Sequence, residues 1–393
     1  MPIAERARPR DRKRRIEDAA ALAFAERGYH QVSMSDVAAA VGISAPALYR
    51  HFPNKYALFV RTAFLVAHRL VEDTAADAEA TPTTPAEAAD VLGRLLGDVI
   101  ATTMDLRAVG GLYRWEGRYL DPADRARLTA EFQTLRARFL APHAVYRPDV
   151  PDAERETLVW AALAAVASIT AHRTVVAAGT LRRLLTEAAW RAWDADIPPA
   201  AAVTPPVAPA PGMRRRERLI EEAIALFASR GYHDVTIEEI AAAADLTASG
   251  VYRHYEGKSS LLLEACDRAA ARLEDGMRHA RSVAQSPGEA LRMLAADYVR
   301  YSVENRQLMR VYVADVGSLA PEEQRRLRAL QRTYVSEWVE LLRQARPELS
   351  AREATVLVHA GFSVVADLGL VAGVRHQGLS AATEHLVEVV LGI

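Results

Sequence analysis

Two stretches decide how this chain is read: RGYHQVSMSDVAAAVGISAPALYRHFPNK (27–55) and RGYHDVTIEEIAAAADLTASGVYRHYEGK (230–258). They lie 203 residues apart and align without a gap, and 18 of the 44 positions from Arg15 to Leu58 are identical in the second copy. Each copy reads the same way. A helix with Ile16, Ala20 and Phe24 on one face stops at Gly28, a residue suited to a left-handed cap. Ser33 opens a short helix with Asp36 three residues on, close to a capping box, and Thr236 with Glu239 gives its Glu form. A turn at Val41-Gly42-Ile43 follows. Ser44 then caps a second short helix with Pro46 in its first turn, where a missing N–H costs nothing. That helix ends near Phe52-Pro53. Two short helices joined by so short a turn form a helix-turn-helix.

Outward from these stretches the repeat continues more weakly. Pro85 faces Pro287, Tyr113 faces Tyr312, and LDPADRARL (120–128) faces LAPEEQRRL (319–327). One domain type is therefore duplicated. Between the halves, DIPPAAAVTPPVAPAPGM (196–213) is nearly uncharged and rich in Pro and Ala. Such a spacer tends to polyproline II, and sixteen residues at ~3.1 Å each reach about 50 Å. Strand alternation and Asn-Gly hairpin turns are missing, while amphipathic stretches run over 86–105, 122–140, 152–178, 288–316 and 321–345. The expected fold is all-α, in two tandem units of about nine helices. The expected partition is a helix-turn-helix head at 1–60, a helical body at 61–195, the linker at 196–212, a second head at 213–263 and a second body at 264–393.

Composition narrows the function. Of 393 residues, 50% are apolar and 25% charged, which excludes a disordered or collagen-like chain. The one cysteine, Cys266, excludes an internal disulfide framework and a Cys-rich zinc site. It fits a reducing cytoplasm, and a buried, inert thiol is the favoured reading. MPIAERARPRDRKRR at the start lacks the apolar core of a signal peptide. The longest apolar run, near Leu158 to Thr170, is too short to span a bilayer. The expected location is the cytoplasm, with no membrane partner. Net charge is −1, so any nucleic-acid contact must be local. No glycine-rich phosphate loop, HExxH or nucleophile elbow is found, so neither an enzyme nor a cofactor or metal site is expected.

Three features raise DNA binding above ordinary bundle packing. Basic arms, RARPRDRKRR (6–15) and RRRER (214–218), stand before each copy. The second short helix carries Tyr49-Arg50-His51, repeated as Tyr252-Arg253-His254, all phosphate-capable side chains. Lys55 and Lys258, two of the chain's three lysines, open the next helix in each copy. A lysine there opposes the helix dipole but suits a phosphate beside free backbone N–H groups.

These motifs resemble the N-terminal domain of the tetracycline-repressor (TetR/AcrR) family of bacterial transcriptional regulators. The matching residues are F-x-x-x-G-Y (24–29), S/T-x-x-x-[VI]-A-x-x-[AV]-x-[IL]-[ST] (33–44) and L-Y-R-H-F-x-x-K (48–55). The resemblance covers about 45 residues per half. It implies all-α proteins whose three-helix head binds a palindromic operator in double-stranded DNA, and whose helical body dimerises and holds a small effector that releases DNA. Carried over residue by residue, Tyr49, His51 and Lys55, with Tyr252, His254 and Lys258, match phosphate-contacting positions. Ser33 and Thr236 match a further backbone contact, and both also serve as N-caps. Base reading falls to Ala45, Pro46, Ala47 and Tyr49, and to Ala248, Ser249, Gly250 and Tyr252. Arg50 and Arg253 read guanine or pair with phosphate.

The departure from the family is the tandem. Its economical reading is a covalent pseudo-dimer in which the last two helices of each body (about 152–178 with 181–193, and 350–373 with 379–392) bury against each other. A homodimer of chains with four heads is the rival. Residues 1–62 carry 11 basic and 6 acidic groups, net +5; residues 213–268 carry 8 and 10, net −2. The second head is expected to bind more weakly. In the bodies, Tyr113, Trp115, Glu116, His172, Tyr312, Asp315, His359 and Asp367 are the polar candidates for effector contacts in an apolar bundle, with ordinary core packing the competing role for each. The apolar body points to a lipophilic effector and the family to a repressor. The competing functions are a helical protein-binding adaptor, and a regulator whose second head no longer binds DNA.

Overall fold

The computed structural model describes residues 9–198, 215–371 and 379–393; the spacer from 199 onward lies outside the described residues. All regular structure among them is helical, as the sequence pattern requires. The chain divides into two compact units, Met1–Tyr146 and Arg147–Ile393.

In the first unit, α1 (Pro9–Arg27), α2 (Met34–Ala40), α3 (Ala45–Tyr49) and α4 (Lys55–Ala63) make the head. It is followed by α5 (Leu65–Asp73), α6 (Pro85–Asp105), α7 (Leu112–Glu116) and α8 (Pro122–Tyr146). Ile16, Ala20, Phe24, Leu48, Leu58 and Phe59 are fully buried in one cluster, which continues into Leu112, Leu120 and Leu128 of the body. Each large apolar side chain buried in this way stabilises the fold by about 1.5–3 kcal/mol. Head and body therefore share one core.

The second unit begins with α9 (Asp152–Ala167) and α10 (Ala178–Asp194). The second head follows as α11 (Arg215–Arg230), α12 (Ile237–Ala243), α13 (Ala248–Tyr252) and the start of α14 (Lys258–Val283). Its body adds α15 (Pro287–Glu304), α16 (Arg306–Asp315), α17 (Pro321–Ala345), α18 (Ala351–Val371) and α19 (Leu379–Leu391). The head core again continues into the body, through Val311, Val316, Leu319 and Leu327.

The compact division falls between Tyr146 and Arg147, well before the Pro/Ala-rich spacer. The reason is apolar burial. α9 and α10 pack on each other and on α18 and α19. Ala161, Ala162, Ala164 and Ala165 of α9, Leu184, Leu185 and Trp193 of α10, Val358 and Val364 of α18, and Leu386 and Val390 of α19 are buried. A Cβ on Gly361 would lie 3.3 Å from the Val387 side chain, so α18 and α19 meet there with little room to spare. Arg183 pairs with Glu353 at 2.9 Å across the same layer. The last two helices of each half thus form one four-helix layer.

Three sequence expectations change. The stretch 152–178 is not one helix: α9 ends at Ala167, and residues 171–177 are irregular after a 3-10 turn. Thr174, Val175 and Val176 are β-branched and disfavour helix. The stretch 288–316 breaks at Asn305, whose side-chain amide donates to the Tyr301 carbonyl at 3.0 Å. The basic segments expected as arms also differ. Within the described residues, 9–15 and 215–218 are already helix. Pro in the first turn and a run of Arg favour that conformation.

Candidate nucleic-acid interface

Both heads build the same motif from local signals. Gly28 (φ +80°) and Gly231 (φ +91°) turn the chain out of the first helix in the left-handed region. Ser33 Oγ accepts from the Asp36 N–H at 3.1 Å, and Asp36 accepts from the Ser33 N–H at 2.8 Å. Thr236 and Glu239 reproduce this box at 3.2 and 2.8 Å. The N–H and hydroxyl donors hold both carboxyls below their ordinary range. Ser33 and Thr236 are exposed as well as capping.

α3 and α13 are five residues long, each opened by a side-chain cap. Ser44 Oγ accepts from the Ala47 N–H at 3.4 Å, and Thr247 Oγ1 from the Gly250 N–H at 3.3 Å. Leu48 and Val251 point into the cores with no exposure. The opposite side presents Tyr49 at 51% exposure and Tyr252 at 55%, although tyrosine is costly to leave open. Pro46, Arg50, Ser249, Arg253 and His254 are exposed beside them; Ala45, Ala47, His51, Ala248 and Gly250 are half-buried. Ala45 and Ala248 pack against the head cores, and the open side of each head is carried by Pro46, Tyr49 and Arg50 and by Ser249, Tyr252 and Arg253.

The two lysines have in-chain partners. Lys55 Nζ donates to the His30 carbonyl at 3.2 Å and lies 4.4 Å from the Tyr29 ring centroid. Lys258 Nζ donates to the carbonyls of Tyr232, His233 and Val235 at 2.6, 3.3 and 3.0 Å, 4.5 Å from the Tyr232 ring. Burial pulls both ammonium groups below the usual lysine value. Closing the turn after the first helix is a physical reason for these lysines that the sequence argument did not contain.

The surrounding charge differs between heads. In head 1, Arg12, Lys13, Arg14 and Arg15 are exposed along the start of α1. In head 2 the counterparts of Lys13 and Arg15 are paired, Arg216 with Glu264 at 2.6 Å and with the Tyr255 hydroxyl, and Arg218 with Asp245, while Glu217 stands at the place of Arg14.

The body candidates separate into two groups. Tyr113 and Tyr312 pack on the head-side cores. Glu116 and Asp315 are buried at the end of α7 and α16; Glu116 accepts from the Tyr29 N–H at 2.6 Å. The Trp115 side chain lies outside the described residues. His172 and His359, by contrast, stack face to face in the four-helix layer, centroids 4.4 Å apart and 13° from parallel. His359 also lies 6.2 Å from Phe362, which sits 4.7 Å from Tyr298 and 5.1 Å from Trp338. Asp367 is half-buried on α18, two turns beyond. A shallow depression of about 270 Å³ is lined by Val175, Val176, Ala177, Thr180, Ser350, Arg352 and Glu353, and contains none of these candidates. Cys266 is buried, and desolvation pushes its thiol up to about 12.

The model of the bacterial regulatory proteins of the tetR family matches twice, at residues 16–62 and 219–265. A tetracyclin repressor-like C-terminal domain matches 284–368. The chain belongs to the TetR family. It carries that family's helix-turn-helix DNA-binding domain twice. The HTH-type transcriptional activator FasR of Mycolicibacterium smegmatis is 42% identical over 53 residues, 13% of this chain and 24% of its own. The probable acrEF/envCD operon repressor of Escherichia coli K12 is 42% identical over 55 residues, 14% and 25%. These curated relatives are thus matched over a quarter or less of their own length. A solved TetR-family regulator from Bordetella parapertussis aligns over 45% of this chain and 94% of its own, at 21% identity and a TM-score of 0.43. No helix among the described residues of this TetR-family chain is long and apolar enough to cross a membrane.

Proposed function

We propose that this chain is an effector-responsive transcriptional regulator that grips one operator with two non-identical heads, as a covalent pseudo-dimer. The observation that carries this reading is the pair of open faces on α3 and α13, each with an exposed Tyr and Arg over a buried Leu or Val. Exposed aromatic and guanidinium groups at the end of a short helix are suited to phosphate and groove-edge contacts. The four-helix layer of α9, α10, α18 and α19 supports the pseudo-dimer, because it joins the last helices of both halves within one chain. Pro46 and Ala47 favour apolar contact with a thymine methyl, while Ser249 brings a hydroxyl to the other half-site. The operator is therefore an imperfect palindrome.

Repression released by a lipophilic effector is the finer reading. It is supported by the apolar body helices and by the aromatic group Tyr298, Trp338 and Phe362 within the segment 284–368. Relatives of similar identity include one named an activator and one a repressor, so the sign rests on function assays.

The test is binding to DNA from the region upstream of its own gene, followed by fluorescence anisotropy across salt concentrations. The wild type is compared with Tyr49→Ala/Arg50→Ala and Tyr252→Ala/Arg253→Ala. Loss in both variants supports two working heads. Loss only in the first makes the second head a scaffold. Salt-insensitive or undetectable binding by the wild type overturns the regulator reading in favour of an adaptor.

A further inference from the structure

We infer that Glu116 and Asp315 are positioning residues: each body carboxylate, with the lysine of its own head, latches the turn after the head's first helix and so sets the angle at which the recognition helix meets DNA. This rests on the reading of α3 and α13 as DNA-contacting helices.

The first latch is built around a backbone group that the helices leave over. After Gly28 the chain leaves α1 and crosses Tyr29–Gln31 before Ser33 caps α2. The Tyr29 N–H donates to Glu116 Oε2 at 2.6 Å, 87 residues on, at the last residue of α7. Glu116 is 7% exposed. A bond from an N–H to a carboxylate is roughly twice as strong as a neutral one. The neighbouring His30 carbonyl accepts from Lys55, so one turn is held by a body anion and a head cation. Tyr119, just beyond α7, stacks on Tyr29 at 5.6 Å and meets His30 edge-on at 4.5 Å. A Cβ on Gly28 would lie 3.6 Å from the Glu116 carboxylate, so the body approaches this turn closely.

The second unit repeats the construction with different parts. Asp315 ends α16, 199 residues after Glu116, and has no exposure. It is within electrostatic reach of Lys258 and Tyr232. Lys258 ties three carbonyls of the turn. His233 Nε2 and Ser318 Oγ are 2.9 Å apart, at the places of His30 and Tyr119. Two diverged halves thus place a buried body acid and the head's lysine by the same turn, with Tyr119 against its histidine in one and Ser318 in the other. Burying an acid is costly unless it is paired, so a carboxylate at this place in both halves points to a job at the head–body joint. α7 and α16 follow the long body helices α6 and α15, so a body displacement reaches the head through this contact.

Site-directed spin labelling tests the latch without requiring DNA. Labels are placed at Asp18→Cys on α1 and Gln133→Cys on α8, both exposed, in a Cys266→Ser background. The latched chain is expected to give a narrow distance distribution. Glu116→Ala broadens it with helix content retained, and Glu116→Gln, which keeps the acceptor oxygen, restores most of it. If only a tenth of the heads then hold the competent pose, affinity for the upstream DNA falls about tenfold. An unchanged distribution in Glu116→Ala overturns the latch, whatever DNA binding does. Should Glu116→Ala fail to fold, Glu116→Leu, which fills the space without an acceptor, and hydrogen exchange at the Tyr29 amide decide: protection lost supports the latch, and protection at the wild-type level overturns it. A broadened distribution in a protein whose wild type binds no DNA keeps the latch and removes the regulator reading.

Discussion

In the first head the turn between α2 and α3 passes through Gly42 at φ +70°; in the second the same place is held by Asp245 at φ +55°. A residue other than glycine there is strained, and Asp is among the few that tolerate it. Asp245 also pairs with Arg218 at the surface of head 2. Next along, Pro46-Ala47 becomes Ser249-Gly250, and the N-cap of the following helix changes from Asn54 to Gly257. The parts that close the fold survive nonetheless: the left-handed glycine after the first helix, the capping boxes, the lysine on the turn and the buried aromatic of the first helix. Folding constrains the inner residues of a duplicated head, while its outward charge and positions such as 46, 47 and 54 have diverged beside a retained Tyr-Arg-His.

The largest expected effect asks whether the scaffolds are equal. Phe24→Ala and Phe227→Ala each remove a fully buried ring, and each should cost about 3–5 kcal/mol in denaturant melts. A much smaller loss in one head would show that its core is not the shared scaffold described here.

The charge contrast comes next. Arg14→Ala/Arg15→Ala should lower the slope of log affinity against log salt by about 2, at roughly 0.9 per phosphate contact. Arg216→Ala/Arg218→Ala should move that slope by less than about 1, because those guanidinium groups already have carboxylate partners. Equal slopes would break the comparison.

A smaller effect concerns the turn. Gly42→Ala should destabilise by about 1 kcal/mol, since alanine pays the left-handed penalty. Asp245→Gly should stabilise by less than that, the lost exposed ion pair offsetting up to about 1 kcal/mol. Thermal melts of both variants check the order of the two signs.

The smallest expectation is shared by both heads. Asp36 and Glu239 are held below their ordinary values by the N–H and hydroxyl donors of their caps. A depressed acid contributes stability that is present above its unfolded value, about 4, and lost as pH falls through the folded one. Melting temperature should therefore fall on acidification below about pH 4, less steeply in Asp36→Asn/Glu239→Gln.

Much of this was legible along the chain. Glycines, caps and a 203-residue repeat are local signals, and they predict the α1–α3 geometry because a short helix is governed by its ends. The Tyr-Arg-His end of the second short helix was legible in both copies, whereas Leu48 and Val251 buried beneath it are a finding of the structure. The lysines were less legible. A lysine opening a helix looks like a phosphate ligand until the carbonyls of a turn 25 residues earlier are brought beneath it. Glu116 and Asp315 were visible only as acids in apolar helices, and their recurrence 199 residues apart was the available hint of a shared task.

The sequence by itself determined the helical class, the duplication, the two recognition helices and the polarity of their faces, because each depends on residues within a few positions of one another. Tertiary structure alone decided that α9 and α10 share a layer with α18 and α19, that His172 stacks on His359, and that the Glu116 carboxylate accepts from the Tyr29 N–H. Those contacts join residues about 80 to 200 positions apart, where apolar burial and the pairing of buried polar groups, not helical periodicity, choose the partner.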